Sequence, residues 1–123
     1  MLKLTAIFLG GGLGAASRYL ATAACSKLCG TFPLGTLGVN VTGSFIMGFI
    51  FLLFMEKISV PDELKLFLTV GFCGGLTTFS SFSLDVWNMF YAGEFIKAAL
   101  YVLLSLVLSI GALFAGVMVA KQF

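Results

Sequence analysis

Neutral hydrogen-bonding side chains are concentrated in residues 71–85, which have the sequence GFCGGLTTFSSFSLD. Two adjacent glycines, two threonines and three serines lie here within an apolar run of about residues 64–90. Such groups can take the place of the hydration shell of a small ion or solute. Backbone at membrane depth leaves the helix only where protein, an ion or water satisfies its polar groups. Because Gly74 and Gly75 are poor helix formers, we predict a helix broken near its middle.

A second polar group is Asn40, which lies on the apolar run that follows Pro33. Small and polar residues continue on its helix face at Gly43, Ser44 and Gly48, with the spacing i, i+3, i+4 and i+8. The amide of Asn40 carries two donors, as an anion would require. Asparagine can equally act as a hydrogen-bonded contact between membrane helices, so both interpretations stay open.

A third polar set consists of Tyr101, Ser105 and Ser109, spaced four residues apart in the last apolar run. Residues at this spacing share one face of a helix. Serine in a membrane helix often bonds back to its own backbone. Three hydroxyls on one face, together with the polar groups above, nevertheless favour a polar track between helices.

Charged side chains are missing at the middle of the apolar runs. A cation or proton pathway would be expected to contain intramembrane acids, so their absence favours an anion or a neutral solute. Phe79 and Phe82 are three residues apart and share a face if the helix resumes after the break. Their positively polarised ring edges could attract an anion, although both rings could also be core or lipid-facing residues.

Two charged residues lie nearer the ends of the apolar runs. Arg18 would cost at least a few kcal/mol at membrane depth, so it either extends to the headgroups, holds a loop or attracts anions into a vestibule. Asp85 lies near the end of the third run and is expected at the aqueous boundary, as an interfacial acid.

The composition indicates which class of protein positions these groups. Of the 123 residues, 60% are hydrophobic and 10% charged, against about 25% charged in soluble domains. Each apolar run is close to the roughly 20 residues that cross a bilayer as a helix, and no run shows the alternation of membrane strands. We predict an all-α membrane protein with one domain, residues 1–123, and four transmembrane helices. The runs are about Leu2–Ala24, Leu34–Met55, Leu64–Phe90 and Phe95–Ala120.

No catalytic constellation is present, and we do not expect an enzyme. The chain has no histidine, and Glu56, Asp62, Glu63 and Glu94 fall at helix ends or in loops. The GGGLGA sequence lies within a membrane helix rather than after a strand, so it does not indicate a dinucleotide site. Its Gly10 and Gly14, four residues apart, predict close packing against another helix backbone. The cysteines, which are Cys25, Cys29 and Cys73, are interpreted as small apolar residues, with a disulfide or thiol switch as the alternative.

Lysine and arginine are almost evenly divided between the two membrane faces that four spans would create. Cytoplasmic loops are usually richer in these residues. Four lysines lie on the side that carries the termini. Two lysines lie on the other side, and Arg18 is a third positive charge there if it is near that end of its helix. This weak bias suggests insertion in both orientations and hence an antiparallel homodimer, although one orientation set by a few lysines is also compatible.

The chain closely resembles the CrcB/Fluc family of fluoride channels. The resemblance rests on GGGLGAASRY, GTLGVNVTGSF and GFCGGLTTFSSFSLD, which occur in order and cover nearly the whole chain. It implies a dual-topology homodimer in the bacterial inner membrane, with two fluoride pores and a central structural sodium ion. Such a channel would export toxic fluoride passively.

The resemblance also assigns residues. Backbone carbonyls of Gly74 and Thr77 from both subunits would hold the sodium ion, and Arg18 and Asp85 would lie in the vestibule. Ser81 and Asp85 depart from the threonine and glutamate that are common in the family, which affects rate or affinity rather than function. The residues expected to line the pore are Asn40, Phe79, Ser80, Ser81, Phe82, Tyr101, Ser105 and Ser109.

Two other functions are alternatives for a chain of four short apolar helices. Proton-coupled small multidrug transporters also have four helices, but they rely on an acidic residue in the first helix, and none occurs between Leu4 and Ser17. A structural subunit without transport would use its polar faces for assembly, which a flux assay would distinguish.

Overall fold

The computed structural model describes residues 1–123, which are helical apart from short connections and contain no strand. This confirms the all-α prediction. The α-helices are α1 (Leu2–Leu28), α2 (Leu34–Leu52), α3 (Asp62–Leu66), α4 (Gly74–Leu76), α5 (Phe79–Tyr91) and α6 (Phe95–Ala120). Two π-helical segments, Leu53–Lys57 and Phe67–Cys73, extend α2 and α3 respectively.

Three helical segments are long and apolar enough to cross a membrane. They are Leu34–Lys57, Asp62–Tyr91 and Phe95–Ala120, with 24, 30 and 26 residues. Helix α1 has 27 residues, about 40 Å at 1.5 Å per residue, but Lys3, Arg18 and its glycines make it less apolar. The crossing by α1, and with it the count of four spans, stays a prediction.

The third span is broken near its middle, as predicted, but not at the residues expected. Gly74 and Gly75 are helical in α4, whereas Thr77 and Thr78 are extended, with φ/ψ of −87°/156° and −154°/124°. The attribution of the break to the two glycines was therefore wrong. A new helix starts at Phe79, which confirms that Phe79 and Phe82 follow the break on one helix.

The glycines near the break allow helices to approach closely. A Cβ atom on Gly75 would lie 2.5 Å from the backbone oxygen of Gly11. On α1, a Cβ on Gly10 or Gly14 would collide with carbonyls of the π-helical segment Phe67–Cys73. The spacing of Gly10 and Gly14 therefore serves close backbone packing, as the sequence predicted.

Helices α2 and α6 also cross at glycines. A Cβ on Gly48 would collide with the carbonyl of Leu113, and one on Gly116 would collide with the carbonyl of Phe45. Gly116 is thus a packing position, whereas Gly111 has no neighbouring atom of this chain within 4 Å. This crossing fixes the faces of α2 and α6 that enclose the candidate site.

Helices α2, α5 and α6 share one buried apolar cluster. Gly93, at φ +78°, makes the tight turn that brings α6 back along α5, because glycine adopts positive φ without strain. The amide of Glu94 closes this turn on the carbonyl of Met89 at 2.8 Å. The cluster consists of Leu37, Phe82, Met89, Ala98 and Tyr101.

Candidate functional site

A cavity of about 250 Å³ lies between α2, the helix break, α5 and α6. Its lining contains an amide and hydroxyl groups together with apolar side chains, but no charged residue. The polar lining residues are Asn40, Ser44, Thr77, Thr78, Ser105 and Ser109, and the apolar ones are Phe79, Phe82, Leu106 and Ile110. We call this space the central cavity.

Ser105 and Ser109 contribute free hydroxyls to the central cavity. Both Oγ atoms are buried, and neither has a hydrogen-bond partner. They do not bond back to their own helix, which was the alternative considered for serines in α6. A buried polar atom without a partner costs about 1–3 kcal/mol. The two hydroxyls therefore favour a polar occupant of the cavity that can accept their hydrogen bonds.

Asn40 holds the backbone at the break. Its Nδ2 donates to the carbonyl of Thr78 at 3.0 Å, and its Oδ1 accepts from the amide of Thr78 at 2.7 Å. Both backbone groups of this extended residue are thus satisfied by one side chain on another helix. One N–H of the Asn40 amide is left for an occupant of the cavity.

Thr78 also begins the next helix. Its Oγ1 accepts from the amide of Ser81 at 3.1 Å, which is the bond of a helix N-cap. The same oxygen lies 3.3 Å from the hydroxyl of Ser80. Thr78 was not among the predicted site residues, although threonine directly before a helix is a recognisable capping signal. Ser80 itself is exposed and does not line the central cavity.

The aromatic residues form a continuous row beside the cavity. The ring centroids of Phe79 and Phe82 are 5.4 Å apart, and those of Phe82 and Tyr101 are 5.1 Å apart. Phe32 continues the row with an edge-to-face contact on Tyr101 at 5.6 Å. Phe82 and Tyr101 are buried, whereas the Phe79 side chain is 74% exposed. Phe79 therefore presents its ring outside this chain as well as to the cavity.

Tyr101 connects this aromatic row to Asp85. The Tyr101 hydroxyl donates to Oδ2 of Asp85 at 2.9 Å, and Tyr101 is fully buried. The hydroxyl proton is thus already used, unlike those of Ser105 and Ser109. Asp85 itself is half-buried and lies in the wall of a separate cavity near the end of α1.

Arg18 faces a second cavity of about 250 Å³, which we call the side cavity. Ser81 and Thr78 also line it, so Thr78 lies in the walls of both cavities. The Arg18 guanidinium forms no ion pair, since the two salt bridges of the chain are Lys3–Asp62 and Lys97–Glu94. Its positive charge is therefore available to an anion in the side cavity.

The predicted sodium ligands lie at the helix break. No hydrogen bond reaches the carbonyl of Thr77, and Gly74 is exposed. The amide of Thr77 instead bonds back to the carbonyl of Cys73 at 3.0 Å. Oxygen atoms are the ligands that hard cations prefer. The two residues thus fit a sodium ion chemically, and the chain has no cluster of three acidic, cysteine or histidine side chains for another metal site.

The predicted site residues fall into separate groups. Asn40, Phe79, Phe82, Ser105 and Ser109 line the central cavity together. The others lie around it: Arg18 and Ser81 line the side cavity, Tyr101 and Asp85 form a bonded pair, and Ser80 packs beside Thr78. Ser44 and Thr78 also line the central cavity; the sequence indicated them as polar groups but did not assign them to the pore.

Apolar helices of membrane-crossing length enclose a cavity lined by uncharged hydrogen-bonding groups. This combination defines a helical integral membrane protein with a polar space between its spans. Residues 5–117 match the family profile described as CrcB-like protein, Camphor Resistance (CrcB). The chain belongs to this CrcB family.

Similar proteins cover nearly the full chain. A protein of Nitrobacter winogradskyi is 45% identical over 119 residues, which is 96% of this chain and 94% of its own. One from Agrobacterium fabrum is 42% identical over 123 residues, 99% and 98% of the two chains. One from Coxiella burnetii is 45% identical over 118 residues, 94% and 95%. All three are named fluoride-specific ion channel FluC, which confirms that the chain is related to ion channels rather than enzymes.

Proposed function

We propose that this protein is a passive fluoride-selective channel whose pore includes the central cavity. The observation that carries the proposal is the pair of buried, unpartnered hydroxyls of Ser105 and Ser109 opposite Phe82 in a cavity without charge. The name of the relatives supports fluoride as the ion. Two of the three motifs that carried the resemblance, those that contain Asn40 and both phenylalanines, lie in the elements that enclose this cavity.

The chemistry of the cavity suits a small anion that must leave again. Hydroxyl and amide donors can replace part of the water around fluoride, and no lysine or arginine is present to trap it. Conduction requires binding that is strong enough for entry and weak enough for release. The absence of a carboxylate in the lining argues against a cation or proton pathway.

The phenylalanine rings add a weak electrostatic attraction. The edge of an aromatic ring is positively polarised. Phe79 and Phe82 are tilted by 44° to each other, so the two rings present differently directed edges beside the same cavity. We infer that ring edges contact fluoride where hydroxyl donors are sparse. Arg18, in the side cavity, would raise the anion concentration at one entrance, with Asp85 at a boundary of the pathway.

A second copy of the chain completes the proposed pore. Phe79 is 74% exposed although it borders the central cavity, so a partner subunit is needed to enclose it. The nearly even distribution of lysine and arginine supports an antiparallel partner. We propose a dual-topology homodimer with two pores, one on each side of its two-fold axis.

A structural sodium ion is proposed at that axis. The carbonyls of Gly74 and Thr77 from two subunits would supply four oxygen ligands, and the ion would satisfy the Thr77 carbonyl, which the break leaves without a hydrogen bond. We expect replacement of sodium by a large organic cation to weaken the dimer. A dimer equally stable without sodium would contradict this assignment.

The proposed location is the bacterial inner membrane, where the protein would be a multi-pass channel. Fluoride enters cells as neutral hydrofluoric acid and dissociates at cytoplasmic pH, so the anion accumulates. A negative membrane potential favours the exit of an anion by about 2.3 kcal/mol per 100 mV. A passive pore is therefore sufficient to export toxic fluoride without a coupled ion.

Efflux from liposomes tests the proposal. Purified protein is reconstituted into liposomes that contain potassium fluoride. A potassium ionophore then lets potassium leave with fluoride, so that no opposing membrane potential builds up, and a fluoride electrode follows the release. Chloride-loaded liposomes are measured in parallel. We expect rapid fluoride release without chloride release. No fluoride release from folded, dimeric protein would contradict the proposal and leave a structural role.

A further inference from the structure

Two cysteines lie together at the end of α1, one helical turn apart. The Cys25 thiol donates a hydrogen bond to the sulfur of Cys29, with the two Sγ atoms 2.8 Å apart. Both are free thiols and both are half-buried. Cys73, by contrast, is 1% exposed, lies beside the helix break and has no thiol partner.

The local backbone allows the two sulfur atoms to approach further. A disulfide requires about 2.05 Å between sulfurs and about 3.5–4.5 Å between Cβ atoms, whereas i, i+4 residues inside a helix have Cβ atoms about 5–6 Å apart. Cys29 is not inside the helix, because α1 ends at Leu28 and Cys29 has φ −108° and ψ 4°. Gly30 follows at φ +70°. The Cys29 amide makes the last backbone bond of α1, to the carbonyl of Cys25 at 2.8 Å, so movement of this segment strains only the end of the helix.

We propose that Cys25 and Cys29 form a redox-active dithiol that closes to an intramolecular disulfide when a low-molecular-weight disulfide is present. The thiolate of one cysteine attacks a sulfur of the small disulfide, which forms a mixed disulfide and releases one small thiolate. The second cysteine then attacks the protein sulfur of the mixed disulfide and releases the second thiolate. The protein loses two electrons and two protons, and the small disulfide is reduced to two thiols.

The hydrogen bond assigns the order of attack. Cys25 lies beyond the apolar run Leu2–Ala24, and its bond to Cys29, followed by desolvation, raises the pKa of the Cys25 thiol. The thiolate is the attacking form of a cysteine, and a raised pKa disfavours it. Cys29 is therefore the attacking residue and Cys25 the resolving one.

Cys25 lies in the wall of a cavity of about 240 Å³ at one end of the bundle. Cys25, Thr36 and Asp85 line this cavity together. The turn that follows Cys29 carries Phe32, whose ring contacts Tyr101. Oxidation would thus occur next to the Tyr101–Asp85 pair rather than at a remote surface.

Mass spectrometry of the full-length protein tests the proposal. Protein in detergent is treated with oxidised glutathione, and intact mass, free thiols and cysteine-containing peptides are measured. We expect a loss of about 2 Da, the mass of two hydrogens transferred in the exchange, with one thiol left and a peptide cross-link between Cys25 and Cys29. A thiol reductant should reverse the change.

Single variants provide matched controls. Cys29→Ser should prevent closure and leave at most a glutathione adduct on Cys25, whereas Cys73→Ser should close as the wild type does. Three remaining thiols in the treated wild type, a stable glutathione adduct without closure, or a cross-link between two chains would each overturn the proposal. Peptide mapping of the wild type decides the question even if a variant does not fold.

Discussion

Substitution of Asn40 by alanine should destabilise the protein through the helix break. The side chain satisfies both the amide and the carbonyl of Thr78, at 2.7 Å and 3.0 Å. Thr78 is 8% exposed, so water cannot readily replace the lost partner. Alanine would leave two buried backbone groups without hydrogen bonds and would also open space beside the cavity.

The structure sets the size of this effect. An orphaned buried donor or acceptor costs about 1–3 kcal/mol, which gives an upper value of about 6 kcal/mol for two groups. Polar contacts between membrane helices average only about 0.6 kcal/mol, which gives a lower value of about 1 kcal/mol for two bonds. We expect a loss of about 2–4 kcal/mol in the free energy of unfolding, or roughly a 30- to 1,000-fold change in the equilibrium at 1.4 kcal/mol per tenfold.

The assay is equilibrium unfolding in mixed micelles with increasing denaturing detergent, followed by circular dichroism. Thr42→Ala is the matched control, because Thr42 is an exposed polar residue on the same helix. Its free energy of unfolding should stay within about 0.5 kcal/mol of the wild type. Equal stability of Asn40→Ala and Thr42→Ala would refute the idea that Asn40 holds the break.

Three further predictions concern the pathway and the packing around it. Ser105→Ala and Ser109→Ala should slow fluoride release several-fold without loss of stability, because the hydroxyls have no partner to lose; lower stability with unchanged flux would contradict their role. Gly14→Ala should destabilise the fold by about 1–3 kcal/mol through overpacking, whereas Gly12→Ala, with open space at its Cβ, should be neutral or stabilising; detergent unfolding of both variants checks this. Arg18→Gln should slow release more at low than at high ionic strength, because salt screens attraction of the anion; an equal effect at both would exclude electrostatic recruitment.

The sequence predicted the helical class, the interruption of the third span and the close packing at Gly10 and Gly14. These follow from local properties, namely apolar run length, glycine spacing and polar residues at membrane depth. The position of the break does not follow from the local sequence. Gly74 and Gly75 stay helical, with Gly75 packed against α1. The chain leaves the helix at Thr77 and Thr78, where Asn40 replaces the backbone bonds that Thr78 loses. That pairing joins residues 38 positions apart, so spacing along the chain could not reveal it.

The candidate site was predictable only where it depends on the spacing of residues along one helix. The spacing of Ser105 and Ser109 indicated a shared face, and the structure places both in the central cavity. The spacing could not indicate that Tyr101, on the same helix face, donates its hydroxyl proton to Asp85. Likewise, Phe79 and Phe82 share a side of α5, but their different exposure depends on how α6 packs against that helix.

The central claim is that fluoride passes through the central cavity, and flux through a Phe82→Ile variant tests it most directly. Phe82 is 7% exposed and lines the cavity, whereas Phe114 on α6 is 63% exposed and does not line it. Fluoride efflux from liposomes should be abolished in Phe82→Ile and unchanged in Phe114→Ile, with both variants dimeric. Wild-type efflux in a correctly folded Phe82→Ile protein would show that fluoride does not follow this path.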